Sequence, residues 1–223
     1  MKISLVIPVF NEEKYIKNCL EAVMNQLVKP DEIIVIDNNC QDNTIAIAKK
    51  FPVQIIKEEK KGLIAARNKG YDSSKYDLIV RLDADAIPKK DWIKKIGHIF
   101  SSNKNIDAVF GPLVFYDLPL KTPLYSKTFY ALIKLILGHN LLIGPNTAFK
   151  KDIWMKVRNN TSKNDDLIHE DIDLAIHINK IGGKIFYDPE LINYVSGRRI
   201  RNNPYSFFIQ YPVKLIRNII SQR

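Results

Sequence analysis

Residues 78–86 read LIVRLDADA, an apolar run that ends in two aspartates one residue apart, Asp83 and Asp85. Like charges at close range repel, and each raises the cost of ionising the other. The pair therefore asks either for something positive between its carboxylates or for good solvation. On an extended chain both side chains point to the same side, with only Ala84 between them. That arrangement suits a hard divalent cation, which takes oxygen ligands and keeps positions open for substrate phosphates. A solvated turn is the competing reading, because aspartate is common where strands end.

The run is one of several. ISLVIPV (3–9), EIIVID (32–37), VQII (53–56) and LIVRLD (78–83) are β-branched and apolar, and each is followed by an amphipathic segment. Asn11 is placed to cap the first helix, whose apolar face is Tyr15, Ile16, Cys19, Leu20, Val23, Met24 and Leu27. Asp42 is placed to start a short second helix, 61–70 is a third entered and left by glycine, and 91–100 a fourth. Strand and helix in alternation predict an α/β fold with a mostly parallel sheet covered by helices. Ligands bind such sheets at the carboxyl ends of the strands, where Phe10, Asp37 and Asp83 lie. Farther on, a strand is expected over 107–115, an amphipathic helix over 124–137 and a loop leading into a helix over 144–157. A helix over 169–183 and a last strand over 184–189 complete one domain with a C-terminal appendage.

At 223 residues and 46% hydrophobic content, the chain supports one sizeable core and excludes wholesale disorder. Its two cysteines, Cys19 and Cys40, fall in segments that read as buried or near-buried, which fits a reduced, cytoplasmic compartment. The opening MKISLVIPVF has no polar break or small-residue cleavage site and reads as a strand rather than a leader. The most hydrophobic stretch, 129–143, is interrupted by Lys134, Gly138 and His139 and is not expected to span a membrane. The net charge of +10 is compatible with nucleic acid, an anionic membrane surface or a polyphosphate substrate, or with solubility alone.

Further candidate residues lie at strand ends and helix starts. Asp37 ends a strand, where its carboxylate suits a nucleobase imide or a ribose hydroxyl. The loop PVFNEE brings Pro8, Phe10, Asn11 and Glu12, with Phe10 able to lie against a base. Arg67, in GLIAARNKG, suits a phosphate or a surface ion pair. Glu170 and Asp171 open the 169–183 helix, where the helix dipole also favours acids.

In order along residues 1–200, VIPVFNE, IDNNCQDNT, GLIAARNKG, RLDADA, GPNTAFKKDIW and HEDIDLAIHINKIGGKIFYDP resemble the family 2 glycosyltransferases of the GT-A fold. The resemblance implies a nucleotide-diphosphate sugar donor, UDP-, GDP- or dTDP-linked, bound by residues 1–115. It also implies a glycan or lipid-linked acceptor bound by 116–200. Pro8, Phe10, Asn11, Glu12, Asp37, Asn38 and Arg67 would line the nucleotide pocket. Asp83 would contact the ribose or sugar and share with Asp85 a cation, Mn2+ or Mg2+, that bridges the diphosphate. Asp171 would take the acceptor proton, with Glu170 beside it to raise its pKa or orient the acceptor. Asn146 would lie near the transferred sugar, with Trp154 in the core. Cys40 stands where the family often has serine. No histidine follows His177, where many such enzymes place a metal ligand; SGRR offers Arg198 and Arg199 to clamp the diphosphate instead.

Residues 204–223, PYSFFIQYPVKLIRNIISQR, form a basic, apolar tail within a 201–223 appendage, and 124–137 with Lys121, Lys127 and Lys134 has the same character. Both suit an anionic membrane interface, or else packing on the domain or on a second copy. Three rival functions compete with the transferase. A nucleotidyltransferase would need a glycine-rich phosphate loop after the first strand, and PVFNEE is not one. An RNA-binding module would interleave arginine with aromatics on a strand face, whereas these aromatics sit in helical patterns. A catalytically silent scaffold would not be expected to keep Asp83, Asp85 and Asp171 together.

Overall fold

The computed structural model describes residues 1–119, 121–164 and 169–205, together with Val213. In chain order its elements begin with β1 (Ile3–Val9), α1 (Ile16–Met24), β2 (Glu32–Asp37), α2 (Thr44–Ala48) and β3 (Gln54–Lys57). Next come α3 (Leu63–Ser73), β4 (Leu78–Arg81), β5 (Ile87–Pro88), α4 (Trp92–Ser102), β6 (Ala108–Phe110), β7 (Leu113–Phe115) and α5 (Leu124–Leu137). The last are β8 (Thr147–Lys150), α6 (Lys151–Val157), α7 (Glu170–Lys180), β9 (Ile185–Tyr187), β10 (Asn193–Val195) and α8 (Arg198–Asn202).

Seven strands form one sheet in the order β3-β2-β1-β4-β8-β6-β9, and β5-β10-β7 form a second, small sheet. The first four pair in parallel, and only β8 runs against its neighbours. Every residue of β1 and β4 is buried, which is why both segments, apart from Ser4 and Arg81, are apolar on both faces rather than alternating. Leu5, Ile7 and Val80 pack against α1 and α4 on one face through Ile16, Leu20, Trp92 and Ile96. Val6 and Ile79 pack on the other face with Tyr71, Phe149 and Trp154, Tyr71 meeting both rings edge-on. The chain leaves β1 toward β2 and β3, then returns on the other side as β4. That reversal opens a crevice at the carboxyl ends of β1 and β4.

The architecture expected of the sequence is present, with local departures. Asn11 does not cap α1: it sits at φ 54°, and its Oδ1 accepts the Gln41 N–H at 2.8 Å, so the helix starts five residues later. Asp42 does initiate α2, its Oδ1 accepting the Thr44 N–H at 2.9 Å. Gly70 does not end α3 but lies inside it; a methyl group there would come within 2.3 Å of Val6 Cγ1, so glycine sets the helix-to-strand approach. The stretch 107–115 is two strands in different sheets, and between them Gly111 passes too close to the Leu191 carbonyl for any side chain. The 144–157 segment contains β8, which is inserted between β4 and β6. TAFK holds only two apolar residues, Ala148 and Phe149, and follows Gly144 and Pro145, so no apolar run marks it as a strand. The tail from 206 onward, apart from Val213, lies outside the described residues.

Candidate active site

A cavity of about 670 Å³ fills the crevice. One side is largely polar and is built by Pro8 at the end of β1 with Phe10 and Glu12 beyond it, Asn38 after β2, Lys61–Leu63 at the start of α3, and Asp83 and Asp85 after β4, with Arg198 and Arg199 of α8 above them. Glu170 and Asp171 face the same cavity from the N-terminus of α7. The remaining wall is apolar, with Leu113, Phe115, Tyr125, Phe129, Tyr130 and Ile143.

The aspartate pair lies just past the strand, in a turn closed by the Ala86 N–H to the Asp83 carbonyl at 3.0 Å, and not on extended chain. The positive partner of Asp83 is Arg81, two residues earlier and 2% exposed. Arg81 donates from Nε and Nη2 to Asp83 Oδ1 at 3.2 and 3.1 Å, and from Nη1 to Glu170 Oε1 at 2.8 Å. One buried guanidinium thus ties the end of β4 to the start of α7. Arg81 was missed as a functional residue in the sequence, although a charge inside a buried strand must have a partner and so announces one.

Asp85 meets Arg198 Nε at 3.1 Å, and Arg198 Nη2 also donates to Glu12 while its guanidinium lies 4.5 Å from the Tyr15 ring centre. Burial first, then the Asp83 and Glu12 charges, push the Asp85 pKa up to about 7 in spite of Arg198. Burial likewise raises Glu12, and its Oε2 is buried without a hydrogen-bond partner among the described residues. Three carboxylates therefore face this wall with Arg198 shared between two of them.

At α7 two adjacent acids are driven apart. Asp171 Oδ2 accepts the Gly144 N–H at 3.0 Å and Oδ1 the Ile172 N–H at 2.8 Å. Burial and then the Glu170 charge raise its pKa. Burial acts on Glu170 too, but the Arg81 and Arg67 guanidiniums outweigh it and hold Glu170 well below the usual carboxylate range. Neighbouring carboxyls pushed in opposite directions can divide the labour, one staying charged while the other exchanges a proton.

Several predicted residues stand elsewhere. Arg67 is fully buried, donating to the Glu170 carbonyl and to Asn68 Oδ1, so it braces the α7 N-terminus from behind instead of lining the cavity. Asn146 is also fully buried: its Oδ1 accepts the Trp92 indole N–H at 2.8 Å and its Nδ2 donates to the Pro112 and Leu191 carbonyls. Its neighbour Pro145 reaches the cavity in its place. Asp37 accepts the Cys40 N–H at 2.9 Å and shapes the loop after β2 without lining the cavity. Asn38 does line it, while holding the 58–62 loop through the Lys60 carbonyl at 2.7 Å and the Gly62 N–H at 2.9 Å. Phe10 is 52% exposed at the rim, and Trp154 is buried with its indole N–H on Asp72. Cys19 and Cys40 are free thiols.

The donor set fits a cation shared with a substrate. Asp83 and Asp85 offer hard oxygens, and Glu12 adds a buried oxygen without a partner. Among the described residues, no three Asp, Glu, His or Cys side chains converge to cage a metal. A magnesium- or manganese-like ion would complete its coordination with phosphate oxygens and water.

The model of Glycosyl transferase family 2 matches residues 4–157. Glycosyltransferase AglE of Haloferax volcanii is 35% identical over 121 residues, covering 51% of this chain and 40% of AglE, so the chain spans about two fifths of that relative. Among solved structures, the mannosyltransferase PcManGT from Pyrobaculum calidifontis, in complex with GDP-Man and Mn2+, superposes with a TM-score of 0.76. The match covers 99% of this chain and 63% of that one at 18% identity. Glucosyl-3-phosphoglycerate synthase from Mycobacterium tuberculosis, in complex with Mn2+, UDP and phosphoglyceric acid, gives 0.70 over 99% of this chain and 78% of that one at 18% identity. At these identities the superpositions establish the shared GT-A fold.

Proposed function

The chain belongs to glycosyl transferase family 2, and we propose that it moves a sugar, with inversion, from a nucleoside diphosphate sugar to a hydroxyl of a glycan or lipid-linked acceptor. The observation that carries this is the single cavity onto which both the Asp83–Asp85 turn and the Asp171 carboxylate open. Solved neighbours in complex with GDP-Man and Mn2+, or with UDP and Mn2+, supply the analogy for the donor.

In this reading the polar side holds the donor. Phe10 offers its ring to the base, and Lys61, Arg198 and Arg199 face the diphosphate. Asp83 and Asp85 would hold the divalent cation, which when bound neutralises charge on the leaving diphosphate. Asp171 acts from the other side. Its raised pKa makes it a competent acceptor for the proton that the attacking hydroxyl sheds. The Gly144 and Ile172 N–H groups fix the direction of its oxygens. Arg81 keeps Glu170 ionised and in place, so the proton goes to Asp171 and not to its neighbour. Attack from the side opposite the diphosphate inverts the anomeric carbon.

The test is a thermal-shift and transfer panel of UDP-, GDP- and dTDP-sugars with Mn2+ or Mg2+. Asp171→Asn is expected to keep the donor-induced rise in melting temperature and to lose transfer. Transfer at the wild-type rate by that variant removes Asp171 from the role, and a folded protein that binds no nucleotide sugar overturns the reading as a whole.

A further inference from the structure

α5 supplies part of the apolar cavity wall through Tyr125, Phe129 and Tyr130, and its other side faces solvent. Leu124, Leu132, Leu135 and Ile136 are 61, 56, 82 and 55% exposed, and Tyr125 49%. At 3.6 residues per turn, Leu124 and Leu135 lie along the middle of the outward face. Tyr125, Leu132 and Ile136 lie along the edge next to Phe129 and the cavity. Lys127 and Lys134, seven residues apart, share the opposite edge, with Lys121 just before the helix. No aspartate or glutamate occurs between Asp117 and Asp152, so this stretch carries positive charge alone.

A contiguous apolar face of this kind on one helix marks an interaction surface. A symmetric pair of copies would press two all-basic stretches together with no acid to match them. An anionic lipid surface complements both features, taking the leucines into the acyl boundary while the lysines reach phosphate head groups. Among the described residues no helix is long and apolar enough to cross a membrane, so α5 would lie in the interface plane.

We propose that the outward face of α5 docks this protein on an anionic bilayer, with the cavity mouth at Tyr125 turned to the lipid surface. An acceptor anchored in the bilayer then reaches the cavity without leaving it. That last step rests on the transferase reading; the docking does not.

Co-sedimentation with phosphatidylcholine vesicles, with and without phosphatidylglycerol, tests the surface. Wild type is expected on the anionic vesicles, less so at high salt, with partitioning about tenfold lower for the Leu132→Glu/Leu135→Glu double variant. Met155→Glu, an exposed residue beside Met1 and Lys75 at the far edge, by the amino ends of β1 and β4, should bind as wild type. Brominated acyl chains should quench tryptophan fluorescence of Leu135→Trp and not of Met155→Trp. Equal binding by the double variant, or quenching from the far edge, overturns the proposal. So does a wild-type dimer that ignores vesicles and dissociates in the double variant, since the face would then pair two copies. Loss of vesicle binding with the donor-induced thermal shift intact sinks only the docking. Intact vesicle binding without any donor shift sinks only the transferase reading.

Discussion

Replacing Asp85 with asparagine should make the metal-free protein more stable while removing its activity. The Asp85 side chain is 14% exposed, and burial with the Asp83 and Glu12 charges lifts its pKa from 3.8 to about 7. The native state therefore holds this proton more tightly than the unfolded chain does. Its contribution to stability is complete below pH 3.8 and is lost as pH rises through about 7. The rise corresponds to about 4 kcal/mol of native-state cost near pH 7.5. Asparagine escapes that cost but binds Arg198 less strongly, and about 2–3 kcal/mol should remain as net gain. For a chain of this length the gain is about 4–12 °C in melting temperature. The assay is thermal unfolding in a chelating buffer at pH 7.5 and again near pH 4, where the difference between variant and wild type should vanish. Adding Mn2+ should raise the wild type and leave the variant unmoved. A variant no more stable than wild type at pH 7.5, or a gap that persists unchanged at pH 4, would refute the reasoning that Asp85 is a strained carboxylate kept for a cation.

Three more substitutions probe the frame around the site. Arg81→Met leaves Glu170 and Asp83 without their shared guanidinium and should cost about 3–5 kcal/mol by urea unfolding at neutral pH. Because Glu170 is held below its ordinary pKa, the paired carboxylate stabilises above the usual carboxylate range and is lost on acidification, so the deficit should shrink below about pH 4. Asn146→Ala strands the Trp92 N–H and two carbonyls and should cost about 2–4 kcal/mol; an unchanged urea midpoint with a raised KM would instead return Asn146 to substrate contact. Gly70→Ala adds a methyl group 2.3 Å from Val6 Cγ1 and should destabilise by about 1–3 kcal/mol despite alanine's better helix propensity, read as a lower melting temperature.

By itself, the sequence determined the strands and helices that carry the sheet. The runs 3–9, 32–37 and 78–83 are buried enough on both faces to be mainly β-branched and apolar, so composition marks them in spite of Ser4 and Arg81. It also put Asp83 and Asp85 just after a strand end and Asp171 in the first turn of a helix, where the structure has them. Only the tertiary structure decided which side chains those carboxylates meet. Arg81 finds Glu170 across 89 positions of sequence, while Arg67 and Asn146 turn inward to satisfy buried carbonyls. Insertion of β8 between β4 and β6 was equally invisible, since TAFK holds only two apolar residues and its sheet neighbours lie far away in sequence. Periodicity records how deeply a position is buried. The partner of a buried charge is set by whatever distant segment packs beside it, and local sequence holds no record of that choice.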